Sequence, residues 1–190
     1  MSDHTKRALG DSLKKILAVK PIDKITISDL TNDCGVNRQT FYYHFRDIYD
    51  LIDWMYLTTA QEAIGSHKTY STWQEGMLDM CNIMLENRSF VLKTYHSRIK
   101  EYLVTMLLKL SYDLLKPVVA EVSKGYRIAE EDQEFIADFY KFGYAGLVMT
   151  WLDDGMKEDP KKIVAKLEYL IQGNFLAAVK RFAAAEDESV

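Results

Sequence analysis

Apolar residues recur with helical spacing along most of the chain, and few windows alternate between apolar and polar as a strand would. Near the start, an apolar stripe predicts a first helix, with its members on one face: Leu9, Leu13, Ile16 and Leu17. Pro21 cannot continue a helix, so this helix is expected to end shortly before it.

Two short helices joined by a tight turn are predicted next. Thr26 is suited to cap the first of them, which runs to about Cys34. Gly35 then supplies the turn, and Asn37 caps a third helix that runs to about His44. This order of helix, glycine turn and short helix is the layout of a helix-turn-helix.

The remaining pattern predicts a longer helical body. Asp47 is expected to cap a long fourth helix, and Ser71 or Thr72 the helix that ends at "ENRS". Further helices are predicted at about 88–96, 98–124, 130–153 and 161–183. The predicted fold is all-α, with a three-helix head over residues 1–46, a linking helix, and a larger bundle within residues 47–190.

The composition is that of a globular protein, with 48% hydrophobic and 27% charged residues. No apolar run approaches the roughly 18 residues of a membrane helix, and the N-terminus lacks the apolar core of a signal peptide. Cys34 and Cys81 lie far apart, which gives no disulfide framework and no metal-binding pair. These observations predict a protein of the reducing cytoplasm.

Charge is divided unevenly between the two predicted parts, within a net charge of −4. Residues 1–46 hold eight Lys or Arg and five Asp, for a net of +3. Residues 47–190 hold sixteen Lys or Arg and twenty-three Asp or Glu, for a net of −7. A mildly basic head on an acidic body fits a head that meets nucleic acid.

No residue pattern points to catalysis. The four histidines are scattered, and neither His nor Cys recurs at metal-ligand spacing, so no metal and no cofactor is predicted. His96 and Glu101 are the one candidate general-base pair, and a surface histidine is the plainer interpretation. A small-ligand enzyme is therefore the least favoured hypothesis, and the protein is predicted not to be an enzyme.

The second short helix carries side chains that suit a DNA reader. In a helix-turn-helix, this helix lies in the major groove and its N-terminal residues meet base edges. Arg38 can bind guanine through two hydrogen bonds, Gln39 can do the same with adenine, and Thr40 can touch the thymine methyl group. Phosphate contacts are expected from Tyr42, Tyr43 and His44. The layout alone also fits a generic helical hairpin.

The stretch "ITISDLTNDCGVNRQTFYYHF" resembles the helix-turn-helix of the TetR family of bacterial transcription regulators. The matching positions are Thr26, Ile27, Leu30, Gly35, Val36, Asn37, Phe41, Tyr42, His44 and Phe45. A later stretch, "FYKFGYAGLVMTWLDDGMKEDPKKIVAKLEYLI", resembles the C-terminal domains of one branch, the regulators of dihydroxyacetone kinase operons. The resemblance implies a dimer that binds a palindromic operator and responds to an effector in the C-terminal domain.

Two positions depart from the family pattern. The family usually has a phosphate-binding lysine at the start of the fourth helix, where this chain has Ile48, and Arg46 is the candidate substitute. Gln39 stands where a small residue is common, which favours direct base reading by its long side chain. Thr26 and Arg46 complete the predicted set of DNA contacts.

The resemblance also implies that the last two helices dimerise. The predicted interface consists of Phe139, Phe142, Gly143, Gly146, Trp151, Leu167, Leu170 and Phe175. The two glycines would let a second backbone come close. The alternative is that this stripe is the core of a single subunit.

A ligand pocket in the body is a further implication of the resemblance. The residues that could line it are Met77, Met80, Cys81, Met84, Tyr95, Tyr102 and Tyr112. A methionine stripe at helical spacing is more often ordinary core. A co-regulator, whose body binds a partner protein rather than a small molecule, is the alternative that remains open.

Overall fold

The computed structural model of the chain describes residues 2–65, 67 and 69–187. Across these ranges the backbone is helical and contains no β-strand, which confirms the predicted all-α class. A short 3₁₀ turn at Ile22–Lys24 separates the first two helices. The helices are α1 (Ser2–Leu17), α2 (Ile27–Cys34), α3 (Arg38–His44), α4 (Ile48–Ile64), α5 (Trp73–Glu86), α6 (Arg88–Tyr95), α7 (Lys100–Val122), α8 (Glu130–Asp153), α9 (Pro160–Ile171) and α10 (Asn174–Asp187).

The chain divides into two compact units. The head unit consists of Met1–Gln61 and Asn87–Lys100, and the body unit consists of Glu62–Glu86 and Glu101–Val190. The head unit thus contains the predicted DNA-binding domain of residues 1–46 and adds most of α4 and all of α6. The predicted boundary between the two domains, after residue 46, stays a prediction.

The core of the head unit forms where the apolar stripe of α1 meets α2 and α3. Leu9, Leu13 and Leu17 repeat every fourth residue, and each is at most 2% exposed. Leu30 of α2 and Phe41 of α3 are both fully buried. Helices as short as α2 and α3 are marginal alone, so this shared core is what stabilises them.

Polar contacts hold α6 within the head unit. The Lys93 Nζ donates to the backbone oxygens of Leu17 and Ala18, at 3.0 Å and 2.5 Å. These oxygens lie at the C-terminal end of α1, where a helix leaves carbonyl groups unpaired, so the lysine caps that end. The hydroxyl oxygens of Tyr56 in α4 and Thr94 in α6 are 2.6 Å apart.

The body unit has a core of its own, in which α5 meets α9 and α8 meets α10. The rings of Trp73 in α5 and Tyr144 in α8 meet edge to face, with their centroids 5.3 Å apart. Further fully buried side chains come from α7 and α10: Leu115, Val118, Val119, Phe175 and Val179.

The predicted helix over residues 161–183 is wrong in one respect, because the structure breaks it in two. α9 ends at Ile171 and α10 begins at Asn174, with Gly173 between them at a φ of 78°. The Gly173 N–H donates to the Tyr70 hydroxyl at 3.2 Å, which fixes the break. The apolar stripe keeps its helical spacing across this point, so spacing alone gave no sign of the interruption.

Candidate nucleic-acid interface

Side chains at both helix starts fix the turn between α2 and α3. Thr26 and Asp29 form a capping box, in which Thr26 Oγ1 accepts from the Asp29 N–H at 3.2 Å and Asp29 Oδ2 accepts from the Thr26 N–H at 2.7 Å. α2 ends at Gly35, whose φ of 67° lies in the left-handed region that favours glycine. Asn37 Oδ1 accepts from the Thr40 N–H at 2.8 Å and caps α3. The predicted caps and glycine turn are confirmed.

The hydroxyl protons of two predicted DNA contacts are already engaged in these caps. Thr26 Oγ1 donates to Asp29 Oδ2 at 2.8 Å, and Thr40 Oγ1 donates to Asn37 Oδ1 at 3.0 Å. Thr40 therefore keeps its methyl group for an apolar contact. Thr26 can offer a phosphate a proton only by opening the cap of α2.

One side of α3 is exposed and carries four of the predicted contacts. Arg38, Gln39, Tyr42 and Tyr43 are exposed, with Tyr42 at 53% and Tyr43 at 82%. They stand at positions i, i+1, i+4 and i+5, which share one helix face. Phe41 points into the core instead, which fixes how this face is turned.

The remaining two predicted contacts lie at the C-terminal end of α3. His44 is half-buried, and its ring centroid is 4.9 Å from that of Tyr43. Arg46 is exposed, and its Nε lies 3.5 Å from Asp50 Oδ2. The Arg46 N–H also donates to Asp50 Oδ2, at 2.9 Å. The charge of Arg46 is thus partly compensated by a carboxylate of its own unit.

Electrostatics reinforce the start of α2. Hydrogen bonds from the Lys20 side chain, and from the backbone and side chain of Thr26, lower the pKa of Asp29 to about 2. The carboxylate is therefore ionised at neutral pH. A negative charge in the first turn of a helix also interacts favourably with its dipole.

The sequence did not point to two further residues, one beside the end of α3 and one in the helix that follows it. The Lys6 Nζ of α1 lies within 6 Å of the ring centroids of Phe45 and Trp54, at 5.9 Å and 5.8 Å. Tyr49, in the first turn of α4, is 43% exposed. The position of Tyr49 directly after the motif could have signalled it. The place of Lys6 depends on how α1 packs on α4, which spacing does not reveal.

The predicted dimer residues fall into two groups within the body unit. The side chains of Trp151, Leu167 and Phe175 are at most 6% exposed, so they belong to the core of the subunit. The others are partly or largely exposed: Phe139, Phe142, Gly143, Gly146 and Leu170. A Cβ built on either glycine meets no atom within 4 Å. These five residues remain candidates for contact with a second chain.

The predicted pocket residues are divided between the two units. Tyr95 belongs to the head unit and is buried there, with the Lys100 Nζ 4.4 Å from its ring centroid. In the body unit Met77 and Cys81 are buried, whereas Tyr102 is 47% exposed. The half-buried members are Met80, Met84 and Tyr112. The pocket stays a prediction.

Two short capped helices, a glycine turn and an exposed face of Arg, Gln and Tyr define a helix-turn-helix DNA-binding protein. Residues 11–54 match the family model described as "Bacterial regulatory proteins, tetR family". Residues 71–173, more than half of the chain, match a TetR-type model described as "Transcriptional regulator C-terminal region". The chain belongs to the TetR family, as its sequence predicted, and is a transcription regulator with a DNA-binding N-terminal domain.

A curated relative points to the same branch as the sequence resemblance. It is the "HTH-type dhaKLM operon transcriptional activator DhaS" of Lactococcus lactis subsp. lactis (strain IL1403), 25% identical over 91 residues. The match covers 48% of this chain and 49% of that protein. The chain thus spans about half the length of the curated relative that it matches.

Two solved structures share the fold. The "Dihydroxyacetone kinase operon activator DhaS" aligns with a TM-score of 0.71 and 22% identity, over 94% of this chain and 98% of that one. The TetR family repressor AlkX from Dietzia sp. strain DQ12-45-1b aligns with a TM-score of 0.53 and 16% identity, over 94% and 97%.

Family membership confirms the prediction of a regulator rather than an enzyme, because TetR-family proteins are transcription regulators. Among the described residues, none of the helices combines the length and the apolarity that crossing a bilayer requires.

Proposed function

We propose that the chain acts as a dimer whose two heads bind the half-sites of a palindromic operator in the cytoplasm. The observation that carries this proposal is the exposed face of α3, formed by Arg38, Gln39, Tyr42 and Tyr43 above the buried Phe41. Because the backbone that carries these side chains is already folded into a packed helix, it need not be ordered when it enters a groove, which lowers the entropy cost of binding.

Within this proposal the residues of α3 make two kinds of contact with DNA. Arg38 and Gln39 read base edges, and each good two-bond contact contributes about 1–3 kcal/mol of discrimination. Tyr42, Tyr43 and His44 contact the phosphate backbone, which fixes position without carrying sequence information.

The dimer is supported by the exposed aromatic residues of α8. Phe139 and Phe142 are 67% and 56% exposed, and Leu170 of α9 is 71% exposed. Phe139 and Phe142 are three residues apart on α8 and so lie on one side of the helix, and large apolar side chains grouped on a surface are typical of protein interfaces. A second copy that covers them would present two heads, and a two-fold dimer reads half-sites about 34–36 Å apart.

The test is fluorescence anisotropy with a labelled duplex taken from the region upstream of the chain's own gene. A scrambled duplex of equal length serves as the reference, and both are titrated at several salt concentrations. Wild-type protein is expected to prefer the upstream duplex and to lose affinity as salt rises. The double variant Arg38→Ala/Gln39→Ala is expected to lose the preference.

Tyr42→Ala is the matched control for that variant. It is expected to weaken binding to both duplexes alike, because a phosphate contact favours no sequence. Equal losses on the two duplexes for every variant would exclude the base-reading roles.

We further propose that the body unit responds to a bound effector. The support is a buried polar atom: the Tyr144 hydroxyl has no hydrogen-bond partner among the described residues, although Tyr144 is only 3% exposed. Leaving a buried hydroxyl unpaired costs about 1–3 kcal/mol, which a ligand with a matching polar group would recover. The adjoining face of α5 carries Trp73, Met77 and Cys81, all buried and spaced four residues apart.

Tyr144→Phe tests this role, since it removes the hydroxyl and keeps the ring. Dihydroxyacetone is the first probe, because one of the solved structures that share the fold is titled "Dihydroxyacetone kinase operon activator DhaS". Thermal stabilisation of wild-type protein that the variant lacks would support the effector role. If the probe stabilises neither form, the alternative of a partner protein bound to the body becomes the favoured one.

The branch resemblance and the two DhaS matches together support control of a dihydroxyacetone kinase operon. A reporter gene fused to the upstream region measures this directly, and a rise or fall on expression of the chain distinguishes activation from repression.

A further inference from the structure

At the C-terminal end of α3, the head unit holds a lysine against two aromatic rings. The Lys6 Nζ lies 5.9 Å from the ring centroid of Phe45 and 5.8 Å from that of Trp54, and the two centroids are 5.8 Å apart. Phe45 is the C-cap residue of α3. Cation–π attraction at such distances therefore holds the ammonium group beside the last turn of the recognition helix.

The other charges at this end of α3 offer little to a phosphate. Arg46 faces Asp50, with 3.5 Å between Nε and Oδ2. Asp47 accepts from the Asp50 N–H at 2.9 Å, so a second carboxylate stands at the start of α4. Ile48, where the family resemblance predicts a phosphate-binding lysine, has no charge.

Lys6 differs from Arg46 in what surrounds its charge. The aromatic rings are the contacts of its ammonium group among the described residues, and no ion pair with a described carboxylate is present. A ring positions an ammonium group but leaves its full charge and its N–H donors available.

We propose that Lys6 is the phosphate-contacting lysine of the head, in the role that Ile48 leaves open; this inference rests on the proposed DNA-binding function. α3 has seven residues and is therefore about 10 Å long, while the major groove is about 12 Å wide. A cation at the end of this helix stands where the phosphates that border the groove pass.

The competing role for Lys6 is that of a brace that only joins α1 to α3 and α4. The two roles affect different measurements. Loss of a purely structural contact lowers the thermal stability of the head, whereas loss of a phosphate contact lowers the salt dependence of DNA binding. Each phosphate contact contributes about 0.9 to the slope of log K against log salt concentration.

The experiment measures that slope between about 50 and about 200 mM salt for wild-type protein, Lys6→Met, Lys6→Arg and Gln39→Ala, on the upstream and the scrambled duplex. Met keeps the length and apolar character of the stem without the charge, and Arg keeps the charge. Gln39→Ala removes a predicted base contact without changing charge. Circular dichroism melts report whether each variant is folded.

Lys6→Met is expected to lower the slope by about 0.9 on both duplexes, while Lys6→Arg and Gln39→Ala leave it unchanged. An unchanged slope in Lys6→Met would overturn the proposal, even if affinity or melting temperature fell. Wild-type protein with no preference for the upstream duplex would overturn the proposed operator function instead. The slope on scrambled DNA would still decide the role of Lys6.

Discussion

At the residue scale, short polar side chains of the head form hydrogen bonds with the backbone at the helix starts, and these bonds limit what the same side chains can offer to DNA. Thr26 was predicted both as a helix cap and as a DNA contact. The structure shows its backbone N–H and its hydroxyl both bonded to Asp29 Oδ2, at 2.7 Å and 2.8 Å. Its first role is thus to start α2 at a fixed place, and α3 depends on that placement.

Replacing Thr26 separates this structural role from any contact with DNA. Thr26→Ala is expected to lower the free energy of unfolding by about 1 kcal/mol, because an N-terminal N–H of α2 loses its acceptor. Thermal denaturation followed by circular dichroism measures the change. Thr26→Ser, which keeps the hydroxyl, is the control and is expected to lose far less. Equal losses in the two variants would show that the methyl group matters more than the cap.

The same capping box makes the head sensitive to acid. The pKa of Asp29 is lowered from 3.8 to about 2, chiefly by the hydrogen bond from Lys20. Because the folded-state pKa lies below the unfolded one, the stabilisation is complete above pH 3.8 and is lost as the pH falls through about 2. The pKa of Asp33 is lowered too, through its hydrogen bond with Lys15, and it adds in the same direction.

Asp29→Asn is therefore expected to destabilise the head near neutral pH and to matter less in acid. Amide hydrogen exchange in α2, compared between wild-type and variant protein at about pH 6 and about pH 3, measures the difference. If the difference in exchange between wild-type and variant protein were the same at both pH values, the lowered pKa of Asp29 would be contradicted.

At the element scale, the end of α2 depends on the conformation of a single glycine. Gly35 has a φ of 67°, and a Cβ built on it meets no atom within 4 Å. Gly35→Ala should thus cost about 1–2 kcal/mol through backbone conformation alone, without a clash. Thermal denaturation measures this cost. Gly35→Asn is the control, because asparagine tolerates the left-handed region better than alanine. Its stability is expected to lie between that of wild-type protein and that of Gly35→Ala.

Helices whose ends are marked by side-chain chemistry could be predicted from the sequence. Thr26, Gly35 and Asn37 each carry a local signal, and the structure confirms all three. The break in the last predicted helix could not be predicted, because the contact that fixes it comes from a distant part of the sequence. Gly173 interrupts an otherwise continuous apolar stripe, and its N–H donates to the Tyr70 hydroxyl. The place of Lys6 was hidden for the same reason, since it depends on contacts between separate helices.

At the scale of the whole molecule, apolar spacing could not separate a core from an interface. Phe139 and Phe175 both looked like interface residues, yet the first is 67% exposed and the second 1%. A core and an interface both require apolar residues at helical spacing, so only the exposure of each side chain in the folded subunit distinguishes them.

Gly143→Ala probes the proposed dimer without disturbing the subunit. Nothing lies within 4 Å of the added Cβ, and the exchange within α8 should stabilise the subunit by about 0.5–1 kcal/mol. If a second backbone packs closely there, the added methyl group should weaken the dimer, so that it dissociates at a higher protein concentration than the wild-type dimer. Analytical ultracentrifugation measures this concentration. Phe142→Glu is expected to give monomers, because it places a charge in an apolar contact.

Lys157 is an exposed residue in the loop that follows α8, and Lys157→Glu controls for the effect of added negative charge on association. A Gly143→Ala variant that is more stable and associates as tightly as wild-type protein would remove this glycine from the interface.

The head unit is assembled from two stretches of chain that are distant in sequence, and this limits how freely such regulators can exchange parts. A chimera that carried only residues 1–61 would leave the end of α1 without the Lys93 cap. It would also leave Tyr56, whose pKa burial raises to about 12, without the hydroxyl of Thr94. A new operator preference can be grafted intact only if residues 87–100 move with it. When a whole head is exchanged, residues 87–100 must therefore be exchanged with it, although they lie in the sequence between two segments of the body unit.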